Sequence, residues 1–126
     1  MYVCSLKIRG MNQEEELLSQ LNDVQQRAVK QIEGPVMVIA GAGSGKTRVL
    51  TYRIAYMLTR GISPFQILAL TFTNKAAGEM KERIFKLVGN SNAKAVSMGT
   101  FHSIFYRIIR VEGSRLGYNQ NLTVYD

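Results

Sequence analysis

The stretch Val36-Met37-Val38-Ile39-Ala40-Gly41-Ala42-Gly43-Ser44-Gly45-Lys46-Thr47 decides the fold class. Its first five residues are apolar without alternation, which predicts a strand covered on both faces in a parallel sheet. The glycine-rich turn Gly41 to Gly45 ends that strand. A helix follows over Thr47 to Arg60, with Leu50, Ile54, Met57 and Leu58 on one apolar stripe and Gly61 at its end. Strand, loop and helix in this order predict an α/β architecture.

Upstream, Asn22 is placed to cap a helix whose third position is Gln25; it runs to about Ile32 and is stopped by Gly34-Pro35. Downstream the strand-helix unit recurs. Ile67 to Thr71 predicts a buried strand, and Asn74 a cap for a helix with Ala77, Met80, Ile84 and Leu87 inward, ending at Gly89. Glu79/Arg83 and Glu82/Lys86 are spaced as i,i+4 pairs on its outer face. A third round has a strand over Ala95 to Met98, a Gly99-Thr100 turn and a helix carrying Ile104, Phe105, Ile108 and Ile109. A further strand is possible at Leu122 to Tyr125. The alternation predicts a parallel sheet flanked by helices. Residues 1–20 are weakly patterned, an extension or short lead-in helix ahead of a domain over residues 21–126.

Length and charge agree with this. The 126 residues suffice for one domain or part of one. Sixteen Lys and Arg against nine Asp and Glu give a net charge of +7, which favours a polyanionic partner. Cys4 is the single cysteine and His102 the single histidine, so neither an intrachain disulfide nor a cysteine zinc site is available. The apolar runs fall far short of the roughly 20 residues that span a bilayer, and Met1 to Gly10 has no secretory apolar core. A soluble, cytoplasmic protein is expected.

Between a strand and a helix, Ala40 to Thr47 matches the Walker A pattern except that Ala40 stands where the strict form has glycine. Glycines let the backbone N–H groups of Ala42, Gly43, Ser44 and Gly45 close around phosphate oxygens, and the helix N-terminus adds a favourable dipole. Lys46 is placed for the β and γ phosphates and the Thr47 hydroxyl for Mg²⁺. ATP with Mg²⁺ is thus the expected cofactor, Lys46 and Thr47 the expected catalytic pair and Thr47 the metal ligand.

Three further segments narrow the class. Leu21-Asn22-Asp23-Val24-Gln25-Gln26-Arg27-Ala28-Val29 resembles the Q motif of UvrD/PcrA/Rep-type superfamily 1 helicases. Thr71-Phe72-Thr73-Asn74-Lys75-Ala76-Ala77 is similar to their motif Ia, and Gly99-Thr100-Phe101-His102-Ser103 to motif Ib. The resemblance covers roughly residues 21–126. It implies the first part of a RecA-like P-loop motor domain, an incomplete one, within an ATP-dependent DNA helicase of 3′ to 5′ polarity in repair or replication. It also implies that Gln25 reads the adenine edge and Arg48 lies against the adenine ring. Phe72, Thr73, Asn74, Thr100, Phe101 and His102 would then hold single-stranded DNA near duplex junctions, with rings on bases and hydroxyls on phosphates. By residue type alone, Phe72 and Phe101 are also readable as packing aromatics, His102 as a helix cap and Gln25 as half of a capping box with Asn22.

The family continues through a Walker B acidic pair, an inserted domain and a second motor domain. Asp126 ends an apolar run, Leu122 to Tyr125, yet the resemblance places it well before that acidic pair. This chain is therefore expected to bind ATP weakly at best and to hydrolyse it negligibly without the remainder of a helicase chain. The alternatives are the same motor fused to a nuclease, as in RecB- or AddA-like enzymes, and a nucleotide- or DNA-binding module without turnover. A small phosphotransferase is disfavoured by the motif Ia and Ib resemblances.

Overall fold

The computed structural model describes residues 13–119. Helix α1 (residues 13–19) leads directly into the turn before α2 (Asp23–Lys30). Asn22 caps α2 as expected. Its side chain accepts the Gln25 backbone N–H at 2.9 Å, and the Gln25 amide oxygen accepts the Asn22 N–H at 3.2 Å. α3 (Lys46–Thr59) follows the glycine loop, and a 3₁₀ turn (Pro64–Gln66) leads into β1 (Leu68–Thr71). Then come α4 (Asn74–Val88), α5 (Asn90–Ala95), β2 (Ser97–Thr100), α6 (Phe101–Glu112) and a 3₁₀ turn over Gly113–Leu116.

β1 and β2 pair in parallel, with Leu68 opposite Ser97 and Thr71 opposite Thr100. The connection through α4 makes one strand-helix-strand crossover, the expected α/β unit. α3 lies between two cores. One joins Leu17, Leu18 and Leu21 to Val29, Val49, Tyr52, Ala55 and Tyr56; the other joins Ile54 to Ile67, Ala69, Met80, Ile84, Ala93 and Val96. Bonds between helices reinforce the first core: Tyr52 donates to the Gln20 amide oxygen at 2.6 Å, and Arg53 to the Ala28 carbonyl at 2.7 Å. Tyr56 is hydrogen-bonded to Glu14, which pairs with Arg60 at 3.8 Å.

Several sequence expectations need correction. Val36 to Ala40 forms no strand among the described residues: it pairs with neither β1 nor β2, and Met37 and Ile39 stand 83% and 85% exposed. Its apolar character fits a central strand, but a strand exists only where a neighbour accepts its hydrogen bonds. α3 is buried on two sides rather than along one stripe. Ile54 is buried and Met57 and Leu58 pack on the second core, whereas Leu50 is exposed and Val49, Tyr52, Ala55 and Tyr56 face the first core. The cap of α4 is Thr73, whose hydroxyl accepts the Ala76 N–H at 3.1 Å, with Asn74 already helical.

Ala95 belongs to α5, an unexpected helix, and β2 begins two residues later; Gly99 and Thr100 complete that strand rather than forming a turn. β1 is covered unequally. Ile67, just ahead of it, and Ala69 are buried, while Leu68 opens into a groove beside α6. On α6 only Ile104 is buried; Phe105, Ile108 and Ile109 remain partly in solvent. Among the described residues the ion pairs are Arg60–Glu14 and Arg115–Glu112, so the two i,i+4 pairs expected on α4 are not closed. The expected strand at Leu122 to Tyr125 lies outside the described residues, and no helix within them is long and apolar enough to cross a membrane.

Candidate nucleotide and nucleic-acid site

Three of the helices flanking the site begin with a side-chain cap: Asn22 for α2, Thr73 for α4 and Thr100 for α6. α3 begins without one. Its N-cap is Gly45 in the left-handed conformation, φ +82°, and no side chain accepts from its first-turn N–H groups. Those donors and the positive end of the helix dipole face the glycine loop, the arrangement that suits an anion. Gly43 also has positive φ, +75°, so the loop reverses direction through two residues that only glycine fills without strain.

Lys46 opens α3 and curls back over this loop. Its ammonium donates to the Ala40 and Gly41 carbonyls, both at 2.8 Å. The Ser44 hydroxyl donates to the Gly41 carbonyl at 2.6 Å, tightening the turn. Ala42, Gly43 and the Thr47 side chain lie in solvent at the loop mouth. The Gln25 amide nitrogen donates to the Ser44 carbonyl at 3.3 Å and packs so close to Gly45 that a β-carbon there would meet it at 3.0 Å. Gln25 thus forms the capping box and also buttresses the loop. A cleft of about 240 Å³ beside it is lined by Asn22, Gln25, Val38, Ala40, Ser44 and Lys46.

Arg48 leaves the opposite side of the first turn. It donates to the Gln20 carbonyl at 2.9 Å, and its guanidinium sits 5.4 Å from the centroid of the Tyr52 ring. Gln20 and Tyr52 did not stand out in the sequence, because one lies in a weakly patterned segment and the other reads as an ordinary helix residue. Only the fold brings them to Arg48.

The second group of candidates gathers where β1 and β2 end side by side. Because Thr71 pairs with Thr100, the segment Phe72-Thr73 and the start of α6 leave the same sheet edge. Phe72 is 88% exposed, its ring centroid 5.7 Å from that of Phe101, and Phe101 stands 6.1 Å from Phe105. Phe72 is therefore not a core aromatic. Phe105 extends the row of rings along α6. Asn74 and His102 are exposed. Thr100 is only 7% exposed, and its hydroxyl is spent on Ser103, accepting the backbone N–H at 3.2 Å and donating to Oγ at 3.0 Å. Thr100, not His102, caps α6. Thr73 likewise uses its hydroxyl as a cap, so the two threonines shape the edge more than they offer free hydroxyls.

A parallel strand-helix-strand unit joined to a helix that opens on a left-handed glycine, with a lysine folded over its own loop, places the chain among α/β proteins. Comparison with known sequences narrows the class. Residues 21–126 match the family model described as the UvrD/REP helicase N-terminal domain, and the chain belongs to that family. The family implies a RecA-like fold. The chain is 55% identical over 111 residues to the ATP-dependent DNA helicase PcrA of Staphylococcus aureus, covering 87% of this chain. It is 53% identical over 112 residues to the ATP-dependent DNA helicase PcrA of Bacillus subtilis, covering 88%. The chain spans 15% of the length of these relatives.

Proposed function

We propose that this chain is the ATP-binding portion of an ATP-dependent DNA helicase or translocase, with the phosphates of Mg²⁺-ATP held by the loop Ala42 to Gly45 at the start of α3. The observation that carries this reading is the uncapped N-terminus of α3 behind Gly45 at the glycine loop, where α2, α4 and α6 each begin with a side-chain cap. It leaves backbone donors for an anion, and Lys46 supplies a mobile positive charge now satisfied by two carbonyls. On binding, the Lys46 ammonium exchanges those carbonyls for the β and γ phosphates. The Thr47 hydroxyl, exposed at the loop mouth, is the side chain that would ligate Mg²⁺, which neutralises charge developing during phosphoryl transfer. Gln25 and Arg48 would take the adenine, Gln25 releasing Ser44 or Asn22 to do so.

Single-stranded DNA is assigned to the sheet edge. Phe72 and Phe101 offer ring faces for bases, Asn74 and His102 offer polar contacts, and Thr73 and Thr100 hold the two helix starts that bracket the rings. The net charge of +7 suits that partner. Translocation of 3′ to 5′ polarity, work at duplex junctions in repair or replication, and a cytoplasmic setting extend the same reading. The motor of a helicase-nuclease is the second form of it.

The test is a titration of the chain with a fluorescent ATP analogue and Mg²⁺, beside Lys46→Ala. Saturable binding in the parent chain that is lost in the variant is the expected result; equal binding by both would remove Lys46 from the phosphate site.

A further inference from the structure

We infer that Phe105 is a further base-stacking residue, so that single-stranded DNA held at the sheet edge passes from Phe72 over Phe101 and one turn along α6 to Phe105. That assignment rests on the DNA reading above and adds to it a residue outside the segments that resemble helicase motifs. The row of rings is continuous. Phe72 and Phe101 stand 5.7 Å apart between centroids with their planes tilted by 55°, and Phe101 and Phe105 stand 6.1 Å apart, tilted by 43°. Rings tilted in this way are not stacked face to face, so each keeps a face that its neighbour does not cover. Phe105 is 47% exposed, although the residue before it, Ile104, is buried.

Exposure alone does not single out Phe105. Phe65 is more exposed, yet it lies in the 3₁₀ turn ahead of β1, at the opposite end of that strand from Phe72, and meets no other ring among the described residues. Phe105 is distinguished by its contact with a ring that already stands on the DNA edge.

Charge and spacing favour a single strand of DNA over other occupants of this helix. α6 carries Arg107 and Arg110 and one acid, Glu112, which is paired with Arg115 at 2.9 Å. Among the described residues neither Arg107 nor Arg110 is paired with a carboxylate, so the helix offers positive charge to phosphates. The bases of a duplex repeat every ~3.4 Å along each strand. Rings 5.7 and 6.1 Å apart cannot each take one base of such a stack, whereas a strand with its bases unstacked can meet them in turn.

Fluorescence anisotropy at low salt tests this, with labelled oligo-dT and with an abasic oligomer of the same length and charge. Phe105→Ala is expected to weaken oligo-dT binding roughly fivefold or more, the lower bound for one base on an aromatic ring, and to leave binding of the abasic oligomer unchanged. Phe105→Tyr, which keeps the ring, should retain the parent affinity. Phe105→Leu, which keeps apolar bulk without a ring, should lose as much as alanine, and Phe65→Ala should lose nothing. Full affinity in Phe105→Leu, or equal loss on both oligomers in Phe105→Ala, overturns the inference, because bulk or fold rather than stacking would then be at work. Unchanged oligo-dT binding in Phe105→Ala beside a loss in Phe72→Ala also overturns it and leaves the DNA reading standing. If both alanine variants bind oligo-dT as the parent does, or the parent does not bind it, the DNA reading falls and takes the inference with it.

Discussion

Replacing Gly45 by alanine separates two demands that the glycine loop places on one residue. The first is conformational. At φ +82° an L-residue costs about 1–2 kcal/mol relative to glycine. The second is contact, since the new β-carbon would stand 3.0 Å from the Gln25 amide nitrogen and displace it from the Ser44 carbonyl, 3.3 Å away. That bond is long and solvent-accessible, so its loss adds only about 0.5 kcal/mol. Gly61 supplies the control, because it has nearly the same φ, +83°, with nothing within 4 Å of an added β-carbon.

Urea unfolding followed by far-ultraviolet circular dichroism should therefore show Gly61→Ala destabilised by about 1–2 kcal/mol and Gly45→Ala by roughly 0.5 kcal/mol more. In a Gln25→Ala background the extra loss should vanish, because the group that clashes is gone. Nucleotide binding should weaken in Gly45→Ala and stay unchanged in Gly61→Ala. Equal stability of Gly45→Ala and the parent chain would refute the left-handed loop. A Gly45/Gly61 difference that survives removal of the Gln25 side chain would refute the buttress.

Other perturbations probe the remaining structure. Ile84 is wholly buried in the second core, and Ile84→Ala should cost about 2–5 kcal/mol in the same unfolding assay; a loss below 1 kcal/mol would mean that α4 does not pack as described. Phe72→Ala should leave stability within about 0.5 kcal/mol, because the ring is exposed, yet weaken oligo-dT binding by roughly 1–3 kcal/mol in fluorescence anisotropy; unaltered DNA affinity would return Phe72 to a surface residue without a role. Burial, reinforced by the Glu14 carboxylate and opposed by Arg60, pushes the Tyr56 hydroxyl above its ordinary range. A raised acid favours its protonated form in the fold, so this stabilisation is complete below the unfolded phenol value, about 10, and is lost as pH climbs beyond it. Tyr56→Phe should accordingly flatten the alkaline fall in unfolding midpoint, and a parallel fall in both chains would exclude the Tyr56 contribution. Mg²⁺-ATP hydrolysis by the chain alone should stay near background with or without single-stranded DNA; DNA-stimulated phosphate release that disappears in Lys46→Ala would show that its own residues suffice for turnover.

Local chemistry was legible in the sequence wherever the deciding partner was near in the chain. The partners of the Asn22/Gln25 capping box are three positions apart, and its pattern was visible in advance. Met80 and Ile84, four apart, were read as inward and are buried. The helix after the glycine loop was found within a residue of its bounds. Where the partner is remote, the pattern was ambiguous. α3 carries two apolar faces because helices from both sides of the chain pack on it, and a single-stripe reading had no means of seeing both. Residues 13–20 were read as no more than an extension or short lead-in helix because their leucines become core only once α2 and α3 fold against them.

The same distinction separates the two parts of the candidate site. The glycines and Lys46 were visible because a loop that closes on phosphate needs particular residue types in a fixed order, whatever the rest of the fold does. The apolar run ahead of them, Val36 to Ala40, carries the composition of a central strand, yet composition supplies no hydrogen-bond acceptor, and neither β1 nor β2 reaches it. The roles of Thr73 and Thr100 are decided one step further out. A threonine after a strand offers the same hydroxyl to a ligand or to the next turn of helix, and here each hydroxyl accepts an N–H three residues on. That choice fixes the first turns of α4 and α6, and with them the separation of Phe72 and Phe101. The rings, not the hydroxyls, are thus what this edge presents outward.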